Sequence, residues 1–405
     1  MKWEKVKLGE LYEVHNGLSK AGKFFGEGYP FLTFSTVFNN YFIPKQITDL
    51  VQSTEKEQES YSIRRGDVFV TRTSETSDEL GMSCVALKDY PMATYNGFTK
   101  RMRPITNRVL PEYIGYYMRL PNFRGEFRAF STMTTRASLR NEDLLGLEVK
   151  LPSIEIQKQI ADILSAYDDL IENNQKQIKL LEEATQRLYK EWFVDLRFPG
   201  HENTKIVDGV PEGWQYEKLG DLVKTTSGGT PSRRKSEYYV NGNIRWIKTK
   251  ELNDRFIFET EEHITEDAVK NSSAKVLPEG ALIVAMYGAT IGKIGITAAE
   301  MACNQACCAF ISFDDMISKE YLYCWLMDNR EYLVSQGKGA AQSNLSQEMI
   351  RNFSLLCPDK KVIKNFTEIV TTMLENKRVL ENKILMLSKA RDDLLPKLMS
   401  GEVEV

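Results

Sequence analysis

Residues 227–235 read Ser-Gly-Gly-Thr-Pro-Ser-Arg-Arg-Lys. Glycines let backbone N–H groups approach an anion, and Thr230, Ser232, Arg233, Arg234 and Lys235 add further donors. The stretch therefore suits a phosphate ester, although a plain solvated turn has the same composition. Trp246-Ile247-Lys248-Thr249-Lys250 sets Lys248 and Lys250 just beyond a strand-like run, and Tyr287 follows another. Gly337 to Asn344 is a second donor-rich stretch, carrying Lys338, Gln342 and Asn344. The N-terminal half offers Lys20 and Lys23, Ser35 and Thr36, Arg72 and Thr73, and Thr135 and Arg136. Arg136 and Gln342 correspond when the halves are aligned at a displacement of 206. Arg matches guanine and Gln matches adenine in a major groove; both could equally touch phosphate, or nothing.

Residues for catalysis are harder to find. Gly288-Ala289-Thr290-Ile291-Gly292-Lys293-Ile294 has three residues between its glycines and Ile after its Lys. A P-loop needs four, and then Ser or Thr, so this is better read as a turn between strands. No Gly-x-Gly-x-x-Gly follows a strand, and no Asn/Asp-Pro-Pro-Tyr/Phe stretch of the adenine-methyltransferase type occurs. The three histidines, His15, His201 and His263, stand in no triad or zinc setting. The six cysteines show no C-x-x-C pair; Cys303 and Cys307 are four apart with no histidine near, which fits buried thiols better than zinc. Scattered carboxylates leave a nuclease site neither indicated nor excluded by spacing.

The chain has 405 residues, 42% of them hydrophobic, enough for two or three domains with proper cores. It holds no apolar run of 18 residues, and its start is charged, without an apolar signal region, so a cytoplasmic protein is expected. Net charge is −3. Residues 1–150 carry 21 Lys and Arg against 18 Asp and Glu, and 214–358 carry 16 against 18. Any nucleic-acid footprint must therefore be local, or shared with more basic partners.

The elements that would position these residues come twice. Trp3, Leu8, Gly9, Glu10 and Leu11 recur as Trp214, Leu219, Gly220, Asp221 and Leu222, and Pro152 recurs as Pro358. After each proline comes a heptad seam with steps of three and four. The first runs Ile160, Leu164, Tyr167, Ile171, Asn174, Ile178, Leu181, Thr185, Leu188, Trp192. The second runs Phe366, Val370, Met373, Lys377, Leu380, Ile384, Leu387, Arg391, Leu394, Leu398. A narrow seam on a helix of about thirty residues points to pairing with another long helix, and the other copy is the obvious partner. Two independent amphipathic helices are the alternative. Asn174, Thr185, Lys377 and Arg391 interrupt the seams and could fix register. Pro396 should end or kink the second helix.

The expected fold is α+β mixed: two globular heads separated by two long antiparallel coiled-coil helices, with an internal pseudo-twofold repeat. The expected borders are a head at 1–150, a helix at 151–197, a Pro- and Gly-rich linker at 198–213, a second head at 214–358 and a second helix at 359–405. Within the heads, 30–35, 67–71, 243–247 and 281–286 read as strands. Glu112–Arg119, behind Pro111, and Lys319–Met327 read as helices.

Taken together, Ser227-Gly228-Gly229-Thr230-Pro231-Ser232, Asn243 to Ile247, Gly288 to Lys293 and Asn304-Gln305-Ala306-Cys307-Cys308-Ala309 resemble the target-recognition domain of Type I restriction-modification specificity subunits. Leu151-Pro152, Gln157 to Ala161 and Leu188 to Phe193 resemble that family's conserved spacer helices, and the likeness covers essentially the whole chain. The resemblance implies a non-catalytic DNA-binding subunit. Each target-recognition domain would read half of a split double-stranded DNA site, and the helices would set the gap. Two methyltransferase (modification) subunits would dock on it, and restriction subunits would complete the complex. It implies no cofactor in this chain, with S-adenosylmethionine, ATP and Mg in the partners, and no membrane. The first head departs from the pattern, with Asn16-Gly17-Leu18-Ser19-Lys20 in place of the Gly-Gly-Thr-Pro loop. A coiled-coil scaffold whose heads bind protein and a stand-alone DNA-modifying enzyme are the other two readings.

Overall fold

The computed structural model describes residues 3–74, 79–129, 137–337 and 344–405. They form two compact units, Met1–Asp169 with Leu387–Val405, and Leu170–Met386. Each unit therefore holds one head plus part of both long helices, so the helices are shared between units instead of standing as separate domains.

In the first unit, Glu4–Lys7 pairs antiparallel with Glu148–Leu151, bringing the head's first and last strands side by side. The central sheet places Tyr12–Asn16, Thr99–Pro104, Val68–Thr71 and Ser83–Val85 in that order. Val68 and Val70 face a core that includes Tyr113, Tyr116 and Leu144, while Phe69 faces a second core with Leu32, Val37 and Tyr95. A strand buried on both faces explains why the run lacks polar alternation. The strand expected at 30–35 ends at Leu32. Thr33 instead caps the helix Phe34–Asn39, its hydroxyl accepting from the Thr36 N–H. Thr is among the preferred N-cap residues, and capping overrides β-propensity here. Pro111 occupies the first turn of the helix Pro111–Tyr117, as expected.

The second unit repeats the plan. Gln215–Lys218 pairs with Ser354–Cys357. The sheet runs Val223–Ser227, Cys307–Phe313, Leu282–Ala285, Ile294–Thr297 and Arg255–Ile257. Leu282 and Val284 face one core and Ile283 and Ala285 another. Ser318 caps the helix Lys319–Asp328. The stretch expected as a linker, 198–213, is mostly exposed and carries a hairpin of Ile206–Val207 with Val210–Pro211; Phe198 anchors its start, buried against Trp214 with ring centroids 4.8 Å apart. Gly200, Gly209 and Gly213 take positive φ in its exposed turns.

The long helices span Ile154–Tyr189 and Lys360–Ser400, longer than the thirty residues expected. Pro396 does not end the second, which continues to Ser400. In the first unit, Ile160 and Leu164 share a core with Leu395, Leu398 and Met399. In the second, Tyr189 and Trp192 share one with Phe366, Val370 and Leu374. Ile178 and Leu380 are buried; Tyr167, Ile171, Leu181, Leu188, Met373, Ile384, Leu387 and Leu394 are half-buried.

The polar seam positions turn inward too. Arg391 reaches Asp168 at 2.5 Å and stacks over Tyr41. Thr185 Oγ1 lies 3.4 Å from Met373 Sδ. Lys377 Nζ meets Glu182 at 2.7 Å, donates to the Asp254 carbonyl at 2.7 Å and to Tyr323 Oη at 3.2 Å.

Candidate nucleic-acid interface

The second head brings the four motif segments to one place. The strand Ile244–Ile247 pairs in parallel with Met301–Cys303, and Asn304 N–H continues the ladder onto the Ile247 carbonyl at 2.9 Å. The 227–231 loop lies on this turn: Gly229 N–H donates to the Cys303 carbonyl at 2.9 Å, and Trp246 Nε1 donates to the Gly229 carbonyl at 3.0 Å. A Cβ at Gly228 would collide with the Cys303 carbonyl oxygen, so only glycine lets the loop sit this close. Thr230 is exposed and its hydroxyl donates to Gln305 Oε1. Gly288–Lys293 is a turn between strands, as expected. Its Thr290 hydroxyl donates to the Thr249 carbonyl at 2.7 Å, and Lys293 Nζ meets Asp254 at 2.8 Å.

The basic residues of this head differ in what holds them. Arg233 pairs with Glu262 at 2.6 Å and lies over the rings of Tyr239 and Trp246. Lys248 contacts both Glu261 and Glu262, and Lys250 contacts Glu261. Burial works against the Lys248 charge, but the Glu262 and Glu261 carboxylates outweigh it and hold its pKa up. Lys250 and Lys248 pull the Glu261 carboxyl down to about 2. Each of these cations already pairs with a carboxylate, so a phosphate would compete with Glu261 and Glu262 for them. Lys235 donates to Tyr238 Oη at 2.9 Å. Arg234 and Ser232 are exposed, and among the described residues Arg234 pairs with no carboxylate. Tyr287 is half-buried against the core, and its backbone bridges to Asn344. Both are thus structural at the backbone. Lys338 and Gln342 lie outside the described residues.

In the first head, Lys20 bonds the Gln52 carbonyl at 2.6 Å and Glu57 at 2.8 Å, and Lys20 and Lys23 flank the Phe24 ring. Ser35 and Thr36 belong to the short helix, where Thr36 Oγ1 lies 2.9 Å from Thr33 Oγ1. Arg72 is half-buried, with Nη1 3.4 Å from Asn16 Oδ1. Burial, and then Arg72, push the Lys100 pKa down. Thr73 pairs through its backbone with Ser138. Thr135 and Arg136 lie outside the described residues.

Sequence reasoning missed the supports behind the second head's turns. Asp254, held at φ +62°, receives Lys293, Arg330 and the Ile294 N–H. Asn-Asp ahead of a charged residue was the available signal, since both tolerate the left-handed region.

Comparison with known proteins decides what this architecture is. The family described as the Type I restriction modification DNA specificity domain matches residues 1–183 and again 211–386. The chain belongs to that family. Among specificity-domain relatives, the Type I restriction enzyme MjaIX specificity subunit of Methanocaldococcus jannaschii is 27% identical, over all of this chain and 94% of its own length. The HindI specificity subunit of Haemophilus influenzae is 25% identical over 99% of both chains. A crystal structure of a Type I restriction-modification system S subunit from M. genitalium aligns with a TM-score of 0.62 at 14% identity, covering 98% of this chain and 96% of that one. The last likeness speaks for the fold alone. Among the described residues of this specificity-family chain, no helix is long and apolar enough to cross a membrane.

Proposed function

We propose that the chain is the DNA-specificity subunit of a Type I restriction-modification complex, each head reading one half of a bipartite site. The observation that carries the reading is the doubled head: the family match falls once on each copy, and both copies share one order of four strands, to which the second adds a fifth, Arg255–Ile257.

The long helices act as an antiparallel coiled coil that sets the gap between half-sites. Support comes from within each unit, where the beginning of one helix lies against the end of the other. Helices of 36 and 41 residues extend about 54 and 62 Å at 1.5 Å per residue, more than the ~34 Å of one DNA turn. Leu180, Val379, Leu385 and Met386 leave apolar surface exposed along these helices, which suits docking of the two methyltransferase subunits. Those subunits bring S-adenosylmethionine and the catalytic groups; restriction subunits bring ATP and Mg. This chain supplies recognition without catalysis and works on double-stranded DNA in the cytoplasm. The enzyme and protein-scaffold readings gain no support from the relatives, which are named specificity subunits.

The test is methylation of a randomised DNA library by the chain assembled with its methyltransferase subunits. A split adenine-methylated motif that depends on this chain supports the reading. Methylation without sequence preference, or an unsplit motif, overturns it.

A further inference from the structure

The first head lacks the Gly-Gly-Thr-Pro sequence, yet it builds the same fixture. Leu18 N–H donates to the Tyr95 carbonyl at 2.8 Å, as Gly229 N–H does to Cys303. Asn96 N–H donates to the Leu32 carbonyl at 3.0 Å, as Asn304 N–H does to Ile247. Asn96 Oδ1 accepts from the Phe98 N–H at 2.7 Å, and Asn304 Oδ1 from the Ala306 N–H at 3.1 Å. A Cβ at Gly17 would strike the Asn96 carbonyl, as one at Gly228 would strike Cys303. Each head thus clamps an Asn-headed turn beneath a glycine loop.

What sits on the turn differs. In the second head it is Gln305, exposed, its Oε1 accepting the Thr230 hydroxyl. That bond fixes the amide plane while leaving Nε2 free to donate and Oε1 a second lone pair, the pattern that pairs with the N7 and N6 of adenine. In the first head Gly97 stands in the place of Gln305, and the next residue, Phe98 in the place of Ala306, is 58% exposed. A phenyl exposed on this turn suits apolar contact with the thymine methyl group. Resting on the function proposed above, we infer that these two turns are the base-approaching tips of the heads. Gln305 specifies adenine in the second half-site and Phe98 specifies thymine in the first.

Gln305→Glu keeps the oxygen that Thr230 bonds but presents acceptors only, which match the cytosine N4 amine. Methylation selection with the assembled complex should show one adenine of the second half-site replaced by cytosine, by about tenfold or more, with the first half-site and the gap unchanged. Phe98→Ala should flatten one thymine of the first half-site and leave the second intact. Thermal unfolding of both variants should match the parent. Two unchanged motifs overturn the inference, as does an even loss over both half-sites. A parent complex that selects no split motif overturns the underlying reading, and the inference falls with it.

Discussion

Lys377 Nζ lies 2.7 Å from a Glu182 carboxylate oxygen across the two long helices, with only 2% of Lys377 exposed. The same ammonium holds the Asp254 carbonyl, and the Asp254 side chain holds Lys293 in the Gly288–Lys293 turn. One buried charge therefore ties the helix seam to the second head.

Breaking that tie should be costly. Removing one partner of a buried pair leaves the other desolvated, typically at 3–5 kcal/mol, and Glu182 is partly exposed, so about 3 kcal/mol is expected for Lys377→Met. Denaturant unfolding measures it. Adding Glu381→Gln should recover part of the loss, because a second buried carboxyl then no longer lacks its counter-charge.

Glu381 gives the stability a pH dependence. It is the surplus carboxyl around one cation: Lys377 sits 3.8 Å away but is closer to Glu182, while the Phe256 N–H donates to Glu381 at 2.8 Å. Burial pushes its pKa up from 4.5 to about 7. The folded state thus holds a proton that the unfolded state releases, so this site's contribution is full below pH 4.5 and falls as pH rises to 7. Glu381→Gln keeps the acceptor for Phe256. It should match the parent near pH 4.5 and exceed it near pH 8, by roughly 3 kcal/mol at most. A constant difference across that range would contradict the assignment.

The glycine loops make a paired prediction. Gly228→Ala forces a methyl against the Cys303 carbonyl, and Gly17→Ala one against Asn96. Overpacking against backbone should cost about 2 kcal/mol or more. Each change should blunt selection at its own half-site and spare the other, read by library methylation.

The basic residues should separate by partner. Arg234→Ala removes an exposed cation and should lower the slope of log affinity against log salt by about one on any sequence. Arg233→Ala removes the Glu262 partner and the Tyr239 stacking, and should instead lower the melting temperature of the second head. Fluorescence anisotropy across a salt series, with calorimetry, distinguishes them.

Much of the fold was legible in the sequence because it depends on periodicity and repetition. The heptads mark Ile160, Leu164, Phe366 and Val370, and the duplicated Trp-Leu-Gly segments mark two heads. Lys377 and Arg391 were legible as polar interruptions of the seam, but Asp254 and Asp168 as their partners were not, since they come from distant chain positions. The expected strand at 30–35 failed where Thr33 capped a helix. The site was less legible. Composition finds Lys248 and Lys250, but only tertiary structure shows Glu261 and Glu262 occupying them. The repeat displacement of Trp3 to Trp214 sets Gly17 opposite Gly228, but the backbone contacts the two glycines share appear only in the structure.

If two heads read one duplex across a gap set by the long helices, the gap must follow helix length. Deleting one heptad from each helix shortens the pair by about 10 Å, close to three base pairs. Methylation mapping of the assembled complex should then return the same two half-sites with the gap reduced by about three. An unchanged gap with both half-sites intact would contradict the account.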